Sequence, residues 1–423
     1  MWRVLYALAL AAALPIIPLR LWWRGRKEPG YRKNVAERFA RYAVRPERPI
    51  IWLHAVSLGE TRAAQPLVRA LADRYPDHQL LVTQMTATGR EAAQTLYGDK
   101  ALVVFLPYDY PFAVSRFLDH FRPRLGILME TEVWPNLLRA AHERRIPTLL
   151  ANARLSEKSA RGYARVDSLA REAFGNLTVV AAQSEPDAGR LRALGAKDVE
   201  VTGNMKFDST PAPAMLELAN VFRERYGDRR VLLLASTREG EEPLFLDALG
   251  QGLPGNALVV IVPRHPQRFD EVAGLLAKRG LGFVRRSADR AVPADVRFFL
   301  GDSMGEMAAY YASCDAAIIG GSLLPFGAQN LIEACAVGAP VIIGPSTFNF
   351  TQATELAIAA GAAVQVRDAR EAVSTAGELL ADAERVRAMS DAGRAFSAAH
   401  RGATVRTMAI VDRLLGAGRV HRA

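Results

Sequence analysis

Three acids stand where the sequence turns from an apolar run into a helical pattern. Glu60 ends Ser57-Leu58-Gly59-Glu60 after "IIWLHAV" (50–56); Glu130 and Glu132 lie in "METEVWPN" (129–136) after "RLGIL". A carboxylate at such a mouth can take a proton from a hydroxyl, which is general-base chemistry. Ser57 and Glu60 also have the spacing of a capping box, in which Ser accepts from one orphan amide and Glu reaches back to another. The two roles conflict only if the carboxylate is turned back onto its own backbone. A helix N-terminus would favour ionised Glu60, a competent though weak proton acceptor. Glu132 could cap a helix beginning at Pro135 and leave Glu130 exposed. Yet two acids at one strand end exceed what a helix start requires. If Glu130 approaches Glu60, like charge would raise the pKa of one of them.

Other residues suit an anion. Lys206 and Asp208 in "VTGNMKFD" (201–208) read either as solvated linker residues or as a lysine at the entry of an inter-domain cleft. In "IVPRHPQR" (261–268), Arg264, His265 and Arg268 occupy a strand-to-helix turn. Cations beside helix N-terminal amides make a phosphate or carboxylate site; a solvated turn is the alternative. Interleaved aromatics, the mark of nucleic-acid binding, are missing here. The segment from Ile318 to Pro345 is richest. Gly320-Gly321-Ser322 closes a strand, Gly327 leads to a helix from about Asn330, and Glu333 lies one turn inside it. Such a loop presents amides to phosphate, and Glu333 could accept from ribose hydroxyls. Glycines needed only for tight packing are the competing explanation.

These residues need elements to hold them. The chain has 423 residues, half of them hydrophobic, which suggests two domains. A charged share of 23% is ordinary for a globular protein. Cys314 and Cys335 belong to no CxxC or Cys/His cluster, so neither a disulfide framework nor a zinc motif is expected. There is no Walker A motif, and no GxGxxG follows the first strand, which disfavours a dinucleotide enzyme. Apolar runs at 50–56, 78–84, 101–107, 124–130, 146–152 and 178–183 alternate with helical patterns. The rhythm pauses at "GNMKFDSTPAPA" (203–214), a linker candidate, and resumes at 231–236, 257–263, 296–301, 314–321, 339–344 and 362–366. Buried strands alternating with helices predict two doubly wound parallel sheets. Ligands of such sheets bind beyond the strand carboxyl ends, here in a cleft between the domains.

The N-terminus carries a different signal. "VLYALALAAALPIIPL" (Val4 to Leu19) is shorter than a comfortable transmembrane helix, and Pro15 and Pro18 interrupt its end. "RLWWRGRK" follows, and from Arg20 to Arg48 ten Arg or Lys face three Glu, a local charge of +7 within the overall +10. Charge after the apolar run, rather than before it, favours an uncleaved anchor with a cytoplasmic body over a cleaved signal peptide.

The Gly-Gly-Ser loop, the Asn-x-x-Glu helix start and the "EACAVGAPVIIGP" run resemble the donor-binding half of GT-B glycosyltransferases. With "HAVSLGE", "ETEVWPN", "GNMKFD", "PRHPQR" and "GDSMGEM" in order, nearly the whole chain resembles the 3-deoxy-D-manno-octulosonic acid (Kdo) transferase family. The resemblance implies a GT-B type α/β fold, two Rossmann-like domains facing a central cleft, with an N-terminal membrane anchor helix. The expected division is anchor 1–26, acceptor-binding domain 27–208, CMP-sugar-binding domain 209–400 and helical tail 401–423. It implies an inverting transfer of Kdo from CMP-Kdo to a lipid A precursor at the cytoplasmic face of the bacterial inner membrane. The anionic membrane surface would be a partner, nucleic acid would not, and no cofactor or metal is expected. Glu60 would be the base, with Glu130 and Lys206 supporting the transition state. Arg264, His265, Met304, Gly305, Glu306, Gly321, Ser322, Asn330, Leu331, Ile332 and Glu333 would hold CMP-Kdo. The chain departs from the family pattern at Gly327-Ala328-Gln329-Asn330, where Gly-Gly-His-Asn is expected, and at Pro345-Ser346, where Pro-His is common. Other sugar-nucleotide enzymes of the same architecture, such as a lipid-linked hexosamine transferase or a non-hydrolysing epimerase, would select UDP instead. A membrane-attached binding protein without the chemistry is a third possibility.

Overall fold

The continuous apolar runs become strands buried on both faces, which requires helices above and below each sheet. The computed structural model describes residues 2–26, 28–249, 253 and 255–420. Met1, Lys27 and residues 421–423, which belong to the expected anchor, basic stretch and tail, lie outside them. The described residues fall into two units, one within Met1–Ser209 and Arg401–Ala423, the other within Thr210–His400.

In the first unit the strands are β1 (Ile50–His54), β2 (Gln79–Gln84), β3 (Ala101–Phe105), β4 (Leu125–Met129), β5 (Thr148–Ala153), β6 (Val179–Ala182) and β7 (Val199–Val201). They form one parallel sheet in the order β3-β2-β1-β4-β5-β6-β7. The chain first builds leftward from β1 and then restarts on its right with β4. The carboxyl ends of β1 and β4 therefore flank the switch point, the place where open α/β sheets hold ligands. Gly126 on β4 lets the fully buried Trp52 ring lie against the backbone, since a Cβ there would sit 2.8 Å from the indole.

The second unit repeats the plan. Its strands are β8 (Val231–Thr237), β9 (Leu258–Pro263), β10 (Phe283–Arg285), β11 (Phe298–Leu300), β12 (Ala316–Ile319), β13 (Val341–Ile343) and β14 (Ala363–Gln365). Their order is β10-β11-β9-β8-β12-β13-β14, so the switch point lies between β8 and β12. The sequence pattern missed β7 and β10. Both are three-residue edge strands with partly exposed side chains, Val-Glu-Val and Phe-Val-Arg, and neither carries a continuous apolar run.

Two expected features differ in the structure. The segment 203–214 is not a linker throughout. Met205–Asp208 forms a 3-10 turn with Met205 and Phe207 buried, and the Asp208 carboxylate accepts from the amides of Gly402 and Thr404. The helix Ala403–Val420 thus begins beside that turn, and its Ile410, Val411 and Leu414 enter the first unit's core. The N-terminal run forms two helices, Trp2–Ala13 and Ile16–Arg24, bent by 57° at the break; no single described helix is long and apolar enough to cross a membrane. Tyr6 and Leu10 on the first helix, and Ile17 and Leu21 on the second, each pair four residues apart, make an inward stripe. Leu10 and Ile17 pack on the first unit's core, and the Tyr6 hydroxyl donates to Asp109 Oδ2 at 2.8 Å. The outward face leaves Val4, Leu5, Leu8, Ile16, Leu19, Trp22 and Trp23 exposed.

Candidate active site

At the mouth of β1 the chain enters the helix Leu58–Ala63 through Ser57, whose Oγ accepts from the Glu60 amide at 3.3 Å. The Glu60 carboxylate does turn back. Oε2 accepts from the Val56 amide at 2.8 Å and Oε1 from the Ser57 hydroxyl at 2.9 Å. Capping does not exhaust it, because a carboxylate offers about four acceptor sites and only two are taken. Contrary to the sequence expectation, the helix start does not hold Glu60 in the ordinary carboxylate range. Burial pushes its pKa up to about 7, helped by the charges of Glu132 and Glu130 and opposed by the Val56 amide and Ser57 hydroxyl. A six-residue helix has little dipole to set against that burial. Glu60 is therefore a stronger base than a solvated glutamate. Its helix is braced from outside: Gln84 Nε2 donates to Thr61 Oγ1 at 3.0 Å, and the Tyr97 hydroxyl donates to the Thr61 carbonyl. His54, at the end of β1, is fully buried and pushed down to about 3 by burial, so it stays neutral.

Glu130 follows β4 in the left-handed conformation, φ 55°, which a glutamate rarely adopts and which costs energy that packing must supply. Its Oε1 lies 3.2 Å from Lys206 Nζ, so the lysine is drawn to the sheet mouth instead of being solvated. Glu132 does not cap the next helix. Asp109 does so from another loop, taking the amides of Asn136 at 3.0 Å and Leu137 at 2.9 Å. The Glu132 carboxylate instead accepts from Trp134 Nε1 at 2.9 Å. Burial first, and then Glu130, push its pKa up to about 7. The first switch point thus gathers Glu60, Glu130, Glu132 and Lys206. Among the described residues, no group of three His, Cys, Asp or Glu has the arrangement of a metal site.

The second switch point is built around glycines and arginines. Glu241 gathers three amides, from Gly321 at 2.6 Å, Arg238 at 2.9 Å and Leu323 at 3.2 Å, and so shapes the loop after β12. A Cβ on Gly320 would meet the Ser236 carbonyl at 2.4 Å, so only glycine fits there. This corrects the expectation that Gly321 and Ser322 offer polar groups to a phosphate. The Gly321 amide is taken, and fully buried Ser322 uses its hydroxyl on the Ile319 carbonyl and the Gly344 amide. Asn330 caps the helix Leu331–Val337 by accepting from the Ile332 amide, and its Nδ2 donates to Glu333 Oε1 at 2.9 Å. Leu331 and Ile332 are buried beneath it. Arg264 Nε donates to Gln329 Oε1 at 3.0 Å. His265 is half-buried and pushed below its ordinary pKa, by burial first and then by Arg238 and Arg264. Beyond β11, Met304 is exposed, Gly305 has φ 84°, and Glu306 accepts from Nε and Nη2 of Arg286, each at 3.1 Å, and from the Ser303 hydroxyl. Arg268 is not a ligand cation, because it is buried against Glu242. Arg238, which no motif flagged, lies over the Phe326 ring at 4.4 Å beside this loop.

The departures from the family pattern have local partners. Gln329 meets Arg264, and Ser346 Oγ accepts from the Gly327 amide at 3.0 Å. Ala328, where glycine was expected, has φ 66° and is buried. Ala328→Gly should remove a left-handed penalty larger than glycine's entropic cost, raising unfolding free energy by about 0.5–1 kcal/mol. Thermal or urea unfolding checks this; a clear loss of stability would mean that the methyl group's packing outweighs the backbone strain.

Comparison with known proteins adds to this geometry. Residues 33–209 match the family model described as 3-Deoxy-D-manno-octulosonic-acid transferase (kdotransferase), and residues 273–396 match Glycosyl transferases group 1. The 3-deoxy-D-manno-octulosonic acid transferase of Bordetella pertussis is 46% identical over 431 residues, covering 98% of this chain and 100% of that protein. The Haemophilus influenzae protein of the same name is 36% identical over 417 residues, covering 96% and 97%. A UDP-GlcNAc 2-epimerase from Neisseria meningitidis, solved bound to UDP-GlcNAc, aligns with a TM-score of 0.59 over 87% of this chain and 100% of that one. At 16% identity that likeness concerns the fold alone, two parallel α/β units of the GT-B type. The chain belongs to the Kdo transferase family and is a glycosyltransferase.

Proposed function

We propose that the chain transfers Kdo from CMP-Kdo to a hydroxyl of a lipid A precursor with inversion, and that Glu60 is the base. The observation that carries the base assignment is a carboxylate at the first switch point with its pKa pushed to about 7. The acceptor oxygen would attack the anomeric carbon while its proton passes to Glu60. The bond from that carbon to the CMP phosphate breaks, and the electron pair leaves with CMP. Glu130 and Glu132 keep Glu60 basic, and Lys206 balances Glu130. The donor is assigned to the second unit, to Arg264, His265, Met304-Gly305-Glu306 and the helix start Asn330 to Glu333. Arg264 supplies a charge that does not titrate, and helix-start amides favour the departing phosphate.

The outward apolar face of the N-terminal helices, with Trp22, Trp23 and the following cations, suits an anionic bilayer. Because the inward stripe is packed on the first unit, these helices would lie in the membrane surface, at the cytoplasmic face of the inner membrane. Incubating the purified protein with CMP-Kdo and a lipid A precursor should give products heavier by whole Kdo units. CMP, and not UDP, should raise its melting temperature. UDP selectivity, or no transfer, would sink the assignment. Co-sedimentation with phosphatidylglycerol vesicles that survives deletion of residues 2–24 would sink the membrane assignment.

A further inference from the structure

Asn152 stands one residue beyond Ala151, the β5 partner of Met129 and acceptor of the Glu130 amide, so it lies beside Glu130 at the sheet mouth. It is fully buried and has φ 53°, so two neighbouring left-handed residues stand at the carboxyl ends of adjacent strands, Glu130 just after β4 and Asn152 one residue before the end of β5. The β5–β6 register slips between Leu150 and Ala153, and Gln183 Nε2 donates to the Asn152 carbonyl at 2.9 Å. Its Oδ1 accepts from the Met205 amide at 3.0 Å, the residue before Lys206. Its Nδ2 has no protein partner. The same turn is gripped at its far end by Asp208, through the Gly402 and Thr404 amides.

We propose that Asn152 is a positioning residue for the transfer reaction: its side-chain carbonyl fixes the Met205–Asp208 turn so that Lys206 meets Glu130. Burial and strain are tolerated because a short Asx side chain accepts the left-handed backbone and reaches the Met205 amide, and of the two Asx residues asparagine does so without adding a buried charge beside Glu130. Asp208 holds the turn's other end to the C-terminal helix, so Lys206 is set by two fixed points rather than by its own flexible stem. The inference rests on the reading of Glu60 as base, because its readout is that base's ionisation. The groups facing Glu60 are Glu132 and Glu130; Lys206 faces Glu130, Tyr163 senses Glu132, and neutral His54 lies on β1. Moving Lys206 away leaves Glu130 uncompensated. Glu60 then holds its proton to higher pH, and the acid limb of the kcat profile moves up.

Asn152→Gly separates the two jobs of the residue, because glycine accepts φ 53° but cannot hold Met205. It should fold, lose about tenfold or more in kcat with a smaller change in KM, and shift the acid limb up by about half a pH unit or more. Lys206→Met should shift the limb likewise, and the double variant should be no worse than Lys206→Met alone. Wild-type kcat with an unmoved limb in Asn152→Gly, or additive losses in the double variant, would overturn the inference. Should the glycine variant fail to fold, Asn152→Asp keeps the acceptor. It should stay within about tenfold of wild-type kcat at pH 9, and a loss as large as that of Lys206→Met overturns the inference. Glu60→Gln is run in parallel. Turnover retained there defeats the base reading, whereas a dead Glu60→Gln beside an unaffected Asn152→Gly defeats only the positioning role.

Discussion

Glu60→Gln is expected to lower kcat by about 10²–10⁴-fold, the usual worth of a positioned general base, with little change in CMP affinity. The amide keeps the shape and one acceptor oxygen, so either the Val56 amide or the Ser57 hydroxyl retains its partner. What it loses is the capacity to take a proton. The wild-type profile of kcat/KM should rise through about pH 7, because burial and the neighbouring acids place the Glu60 pKa there. Stability should move the opposite way. A buried carboxyl with a raised pKa contributes most to folding below the ordinary carboxylate range, and that contribution is lost as pH rises toward the folded pKa. The variant does not ionise, so its stability relative to wild type should improve between about pH 5 and 8. Full turnover in Glu60→Gln, or a loss of about 0.5–2 kcal/mol at every pH with turnover intact, would make the residue a helix cap only.

The residues that could be read from the sequence are those whose partners are near in the chain. Ser57 with Glu60 and Asn330 with Glu333 were visible as spacings, and both pairs form. The twelve long apolar runs became strands because a doubly covered sheet needs continuous burial. Where the sequence reading failed, the deciding partner was distant. Asp109 caps the helix after Glu132, Lys206 crosses to Glu130, and Asn152 holds Met205, each across 27 residues or more. No periodicity registers such pairs. The like-charge part of Glu60's raised pKa was foreseen as a consequence of Glu130 coming near, whereas its larger cause, burial, was hidden, since it depends on segments distant in the chain and not on the helix start that the spacing announced. The segment at 203–214 looked like a linker because its two buried side chains, Met205 and Phe207, serve a core that only the folded sheet creates.

Arg268 gives the second large effect, and it is one of stability rather than binding. Its guanidinium donates to both Glu242 oxygens, at 2.7 and 2.9 Å, and Thr237 Oγ1 donates to the same carboxylate at 2.6 Å. Glu242 is fully buried and Arg268 is 5% exposed. Arg268→Met therefore leaves a buried carboxylate with only a hydroxyl, and unfolding of the second unit should become easier by about 3–5 kcal/mol. Arg268→Met with Glu242→Leu removes both charges from the interior. That double variant should recover most of the loss, since an apolar pair of similar volume avoids the desolvation of two ions. CMP affinity of the double variant should stay near wild type, because the groups left for an anion are the Arg264 guanidinium and, beside it, the His265 ring as a hydrogen-bond donor, both at the start of the turn, and not Arg268. Urea unfolding with CMP titration separates the two roles. A stable Arg268→Met that no longer binds CMP would make Arg268 a donor ligand after all. An unstable single variant rescued by the second substitution makes "PRHPQR" a motif with two jobs: its first half faces the ligand edge of the sheet, and its last residue pins the turn to the helix that begins at Glu241.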